Sequence, residues 1–268
     1  MSRGFSNYPV SSVNLSVNRN STPLTNISGE TKFSAGGYSV SGSFTALLRP
    51  SIYTLITTHL LSNLTTFSIT PIASIVLSTD TTSYTLTNLV LNNCELRGAT
   101  KDFIQTNFSF VAQKVSNEGS SEVTSYNDTP AIFYNTVVTA NASTYYTSFS
   151  MKVERPIDTE HFILGKETLY LPNDQYIQAG PTMITGTLTG NRSGIFNTSI
   201  VRTSGDDDPS ATIYTLPSTS CKIQMSCGTI DLKKIYLTES SLSGQGRQKF
   251  ETSVNFAVDL SGTAPITF

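Results

Sequence analysis

Asp206, Asp207 and Asp208, followed by Pro209, form the densest charge cluster in the chain. Adjacent carboxylates are the donors a Ca²⁺ ion takes, but calcium loops space their ligands around a glycine, and consecutive residues of an extended chain point in alternating directions. The run therefore reads as a solvated acidic turn. Asp158, Glu160 and His161 supply the residue types of general acid–base transfer. They stand without a nucleophile motif, a second catalytic constellation or a glycine-rich phosphate loop. His59 sits in an amphipathic segment and reads as a half-exposed helix residue, and its spacing from His161 matches no zinc motif. Cys94, Cys221 and Cys227 are odd in number, which suits a reducing compartment. On a shared strand, Cys221 and Cys227 would stand roughly 20 Å apart, beyond disulfide reach. The expectation is a chain without catalysis, metal or cofactor, and what remains to be explained is its scaffold.

That scaffold is repeated. Thr31 to Ala46 (TKFSAGGYSVSGSFTA) recurs as Asp174 to Gly190 (DQYIQAGPTMITGTLTG), with Ala35-Gly36 on Ala179-Gly180 and Gly42 on Gly186. Val13, Leu15, Val17 and Arg19 answer Phe149, Met151, Val153 and Arg155. Cys94 to Arg97 (CELR) matches Ile230 to Lys233 (IDLK), which places Cys94 on Ile230 as a small core residue. Phe108, Phe110 and Ala112 meet Val254, Phe256 and Val258. Four collinear matches that keep side-chain phase predict two tandem copies: residues 1–114, a connection over 115–146 containing a strand at Ile132 to Thr139, and residues 147–268. The second copy is expected to carry about eight extra residues between Arg155 and Ile177 and a hairpin-loop insert of about ten at Thr238 to Arg247.

Period-two alternation rich in Val, Ile, Thr, Tyr and Phe marks strands at Val13 to Val17, Tyr38 to Thr45, Thr66 to Thr70, Tyr84 to Leu91 and Asn107 to Ala112. One segment departs from it. In Ser51 to Ser62, Ile52, Leu55, Ile56 and Leu60 recur at helical spacing after Pro50, predicting a short amphipathic helix with Leu55 and Leu60 inward and Thr58 outward. The fold class expected is all-β and antiparallel: two tandem β-sandwiches or partly rolled barrels with a short flanking helix.

Only 13% of the 268 residues are charged, and the net charge is −2. The basic residues are scattered, which excludes a nucleic-acid reader built on a Lys/Arg stripe. A neutral, hydroxyl-rich surface suggests one that is covered in an assembly. The N-terminus has no apolar signal region and no stretch is long enough to span a membrane, so folding in a cytoplasm is expected.

The opening strand, the glycine-bearing strand YSVSGSFTALL, the short helix and the closing CELR … TNFSFVA hairpin resemble the tail tube proteins of tailed bacteriophages, and the second copy closes similarly in GTIDLKKIYL … TSVNFAVDLSG. The resemblance implies a β-sandwich or partly rolled barrel related to the inner tube of type VI secretion. It also implies a virion structural protein, assembled in the host cytoplasm, that stacks as rings into a conduit for DNA. Duplicated members of the family form trimeric rings, so self-association with pseudo-sixfold symmetry is expected, with sheath or other tail proteins as further partners. Alternation within the glycine-bearing strands singles out Ser39, Ser41, Ser43, Thr45, Thr185, Thr187 and Thr189 as lumen-facing candidates, opposite Tyr38, Val40, Phe44, Ile184 and Leu188. The alternatives are a receptor-binding adhesin, for which Tyr145-Tyr146 is the one compact aromatic pair, and a baseplate or tail-terminator component of the same fold.

Overall fold

The computed structural model describes residues 6–25, 29, 31–62, 64, 71–79, 81–117, 129–140, 146–157, 181–190, 218–243, 251–261 and 265–268. In chain order the strands are β1 (Ser6–Pro9), β2 (Ser12–Thr25), β3 (Thr31–Leu47), β4 (Ile72–Ser78), β5 (Ser83–Ala99), β6 (Gln105–Asn117) and β7 (Val137–Ala140). They continue as β8 (Tyr146–Glu154), β9 (Met183–Gly190), β10 (Ser218–Met225), β11 (Gly228–Ser243), β12 (Glu251–Val258) and β13 (Ile266–Thr267). Helix α1 (Pro50–Ile56) lies between β3 and β4.

All strands join one open sheet in the order β2-β3-β6-β5-β8-β9-β12-β11-β10-β7, with β4 beside β5, β1 beside β4 and β13 beside β11. The chain is all-β and antiparallel as expected. Among the described residues the one parallel pair is β1 with β4.

The halves of this sheet repeat in order and in register. The row Leu15–Gly42–Phe110–Leu91 across β2, β3, β6 and β5 recurs as Met151–Gly186–Phe256–Leu237 across β8, β9, β12 and β11. An irregularity follows Leu91 in β5, and its counterpart follows Leu237 in β11. Gly42 and Gly186 share one cause. A Cβ on Gly42 would lie 2.9 Å from Phe110 Cζ and 2.3 Å from the Asn14 carbonyl oxygen; on Gly186 it would lie 2.3 Å from Phe256 Cζ and 2.4 Å from the Ser150 carbonyl oxygen. Each glycine leaves its phenylalanine room to lie across the strand.

This register corrects one of the four sequence matches. Cys94 pairs with Phe108, whereas the residue opposite Val254, the counterpart of Phe108, is Ser240. Cys94 therefore corresponds to Ser240 and not to Ile230. The mismatch is ten residues, an even slip, which preserves the face pattern that made CELR and IDLK look alike. The expected insert disappears with it, since Thr238 to Ser243 extends β11 and Glu239 to Ser243 pairs with β12, while residues 244–247 lie outside the described residues. The eight-residue difference near Arg155 stands. Leu15 maps to Met151, a shift of 136, and Gly42 maps to Gly186, a shift of 144.

Within the connection, Ile132 to Thr139 is not one strand. Ile132 makes a single bridge to Phe103, Phe133–Asn135 form a 3₁₀ turn, and β7 begins at Val137. First-copy pairing also runs beyond residue 114, to Asn117 in β6. The expected strand at Thr66 to Thr70 falls outside the described residues, and Ile72–Ser78 forms the strand after the helix. Cys227 sits in the turn that joins β10 to β11, so it shares no strand with Cys221.

The helix follows its periodicity. Pro50 occupies the first turn, where its missing N–H costs nothing. Ile52, Leu55, Ile56 and Leu60 are buried against the sheet, while Thr54 and Thr58 face out. After Ile56 the helix widens into a π turn, Thr57–Leu61, which brings the adjacent Leu60 and Leu61 both inward. On the sheet side, Phe44 stacks on Phe108 at 4.6 Å between ring centroids.

Candidate functional site: a polar face, an internal seam and an open edge

Alternation along β3 buries Val40, Phe44 and Ala46 and turns Ser41, Ser43 and Thr45 to the opposite face. The side chains of Tyr38 and Ser39 lie outside the described residues. β9 behaves alike: Ile184 and Leu188 are buried and Thr185, Thr187 and Thr189 face the other way. The candidates therefore share one face of the sheet but not one neighbourhood. Three strands, β6, β5 and β8, separate the two sets.

Those intervening strands carry the residues the sequence reading missed. Across the register, Ser43 meets Ser109, which meets Asn93, which meets Glu154. One row along, Thr45, Asn107, Glu95, Lys152 and Thr185 stand in line. The outward phase of FSMKVER (Ser150, Lys152 and Glu154 against Phe149, Met151 and Val153) was the signal that could have found them.

Along β5 and β8 two cations sit on this face, and both are paired; farther along the sheet β11 adds Lys233 and Lys234, paired with Asp231 and Asp259, and β10 adds the exposed Lys222. Arg97 Nε donates to Glu95 Oε1 at 2.7 Å, and Lys152 Nζ pairs with Glu154. The hydrogen bond to Glu95 raises the Arg97 guanidinium further above its already high range. In the second half, Thr187 Oγ1 donates to Asn255 Oδ1 at 2.8 Å, and Asn255 Nδ2 donates to Glu239 Oε2 at 2.9 Å. Over these central strands the face thus presents hydroxyls, amides and compensated charges. A cavity of about 320 Å³ opens on it where β5, β8 and β9 meet, lined by Arg97, Asp102, Gln105, Ser148, Thr187 and Thr189 among others.

β5 and β8 form the seam between the halves through seven antiparallel register pairs, from Asn93↔Glu154 to Ala99↔Ser148. On its inner side Cys94, Leu96, Met151 and Val153 are fully buried. Gly98 lies opposite Phe149, whose ring occupies the space a Cβ would take. Two further ties cross from the helix. The Tyr53 hydroxyl donates to the Thr229 carbonyl at 2.7 Å, and burial raises its pKa. Arg155, 2% exposed, donates from Nη2 to the Leu60 carbonyl and from Nε to Thr182 Oγ1, each at 3.2 Å. Desolvation lowers the Arg155 pKa, while the Leu60 carbonyl and the Thr182 hydroxyl solvate its charge.

Asp158, Glu160, His161 and Asp206 to Asp208 lie outside the described residues. Among the described residues no three His, Cys, Asp or Glu side chains are placed to hold a metal, and no helix is long and apolar enough to cross a membrane. Cys94 and Cys221 are buried, and burial pushes the Cys221 thiol up to about 12.

Compared with known families, residues 59–258 match the sequence profile described as phage tail tube protein, a span that takes in β4 to β12 and leaves β1 to β3 outside it. The chain belongs to the phage tail tube protein family. It is a bacteriophage virion structural protein of the tail, and its family is a structural one, not a family of enzymes. No curated protein matches the chain. For a tail tube protein, whose business is association with its own kind and with other tail proteins, the polar face and the seam are the features to account for.

Proposed function

We propose that this tail tube protein is the major tube subunit, that its chains close into rings which stack into a hollow tube, and that DNA passes along the polar face during ejection. The observation that carries this reading is the face itself. It takes in strands of both halves, offers hydroxyls from Ser41, Ser43, Thr45, Thr185, Thr187 and Thr189 and amides from Asn107 and Asn255, and presents the cations of its central strands, Arg97 and Lys152, only beside carboxylates. A wall of free Lys or Arg would release counterions from the phosphates and hold the DNA in place. A wall of neutral dipoles and internally paired charge lets a polyanion slide.

Because the two halves repeat strand for strand, we infer that they are two tube domains, 1–114 and 147–268, joined through 115–146, and that three chains make a ring of pseudo-sixfold symmetry. The β5–β8 seam would then serve as the pattern for the contact between chains. Cryo-electron microscopy of tubes assembled from the purified chain tests the whole reading. The expected reconstruction has three chains per ring with Thr45 and Thr187 facing the channel. Six chains per ring, a channel wall of unpaired Lys or Arg, or the candidate hydroxyls on the outer surface would each refute it.

A further inference from the structure

The open edge of β2 is the incomplete copy of the internal seam. β2 and β8 hold the same place in the register: Val17 pairs with Val40 as Val153 pairs with Ile184, and Leu15 meets Gly42 as Met151 meets Gly186. Their surroundings differ. Val153 is fully buried because β8 has β5 on its other side, whereas Val17 is 55% exposed, and Val13 and Leu15 are half-buried. Among the described residues β2 has one neighbour, β3. An apolar row on an unpaired edge is a template for another strand.

The matching strand is present at the far end of the sheet. Glu239 to Ser243 of β11 corresponds to Asn93 to Arg97 of β5, since Leu237 stands opposite Phe256 as Leu91 stands opposite Phe110. Asn93 to Arg97 pairs with β6 on one side and β8 on the other. Glu239 to Ser243 pairs with β12, and among the described residues nothing lies on its other side.

We propose that β2 of one chain pairs antiparallel with Glu239 to Ser243 of a second copy, in the register of the internal seam. Asn93↔Glu154, Glu95↔Lys152 and Arg97↔Ser150 then translate into Glu239↔Asn18, Ser241↔Ser16 and Ser243↔Asn14 between chains. This deepens the tube reading and rests on it. The contact is heterologous, because each chain offers two different surfaces and can add a neighbour at both ends, which is the geometry that closes rings. It carries the polar face from chain to chain without a step. It also replaces the Glu95/Lys152 juxtaposition of the internal seam by the hydroxyl pair Ser241/Ser16.

Cysteine pairs in a Cys227→Ser background test the register, since Cys94 and Cys221 are buried. Facing residues on one side of a pair of strands have Cβ atoms about 4.5–5.5 Å apart and diagonal ones about 7–8 Å, beyond disulfide reach. After mild oxidation of assembled protein, Ser16→Cys/Ser241→Cys and Asn14→Cys/Ser243→Cys should each give a ladder of covalent dimers and trimers on non-reducing gels. The displaced pair Asn14→Cys/Ser241→Cys should give none. As a second arm, Val17→Asp should leave the isolated chain folded by circular dichroism and abolish assembly. Tubes in electron micrographs with no in-register ladder, a ladder from the displaced pair, or normal assembly of Val17→Asp would overturn the register and leave the tube reading standing. An in-register ladder in particles that are neither rings nor tubes would keep the strand pairing and overturn the tube reading.

Discussion

Replacing Gly186 by alanine should destabilise the fold even though the same change in an unconstrained strand stabilises it. The new Cβ would stand 2.3 Å and 2.6 Å from two ring carbons of Phe256 and 2.4 Å from the carbonyl oxygen of Ser150. Carbon contacts settle near 3.5–4 Å, so something must move by roughly 1 Å. The ring alone cannot relieve the contact, because Ser150 belongs to the backbone of β8, hydrogen-bonded to β9 along its length. Overpacking of this kind costs about 1–3 kcal/mol, against a conformational gain of about 0.5–1 kcal/mol for removing a strand glycine. The expected net loss is about 1–2 kcal/mol, read by urea unfolding of the unassembled chain. It corresponds to a drop of roughly 2–8 °C in melting temperature for a protein of this size. The double variant Gly186→Ala/Phe256→Leu should lose less than the sum of the single changes, because the ring clash goes while the carbonyl clash stays. A Gly186→Ala chain as stable as the parent, or strict additivity in the double variant, would refute the packing argument.

Leu55→Ala should cost about 2–5 kcal/mol and Thr58→Ala less than about 0.5 kcal/mol in the same unfolding assay, since one is buried and the other exposed on a single helical segment. Arg155→Met should cost about 1–3 kcal/mol for each buried partner left unsatisfied, the Leu60 carbonyl first. Hydrogen exchange should then locate the loosening at the π turn, and unchanged protection there would contradict the tie. Burial pushes the Cys227 thiol up to about 11, so it stays protonated at pH 8, with a thiolate fraction of about one in a thousand. The native chain should therefore react slowly with a thiol reagent and release all three cysteines only on unfolding, and one fast equivalent would contradict this.

What the sequence made legible was whatever repeats at short range. Period-two phase placed Val40, Phe44, Ile184 and Leu188 inside, and helical spacing placed Leu55 and Leu60 against the sheet. Three of the four repeat matches kept their register because a glycine or an aromatic anchored them: Gly42 with Gly186, Phe110 with Phe256, and through those the opening strands. The fourth had only alternation to align, and an even slip leaves alternation unchanged. The seam was illegible for a different reason. That Glu95 faces Lys152 depends on which strand lies beside which, a non-local choice that no window of sequence records. Arg155 was visible as the partner of Arg19 in the repeat, but its contact with the Leu60 carbonyl needed the π turn to present that group.

The short strands that flank β4 and β10 disagree about direction. β4 and β10 hold equivalent places, Ile75 opposite Leu86 and Cys221 opposite Leu232, yet β1 runs parallel to β4 and β7 antiparallel to β10. A strand copied along with its neighbours would keep its polarity, as every strand of the repeated row does. The two flanking strands are therefore not counterparts of each other, one coming from the start of the chain and the other from the segment between the halves. An edge of this sheet can thus be covered by a strand of either polarity, and the cover can differ between the halves while the repeated row stays the same.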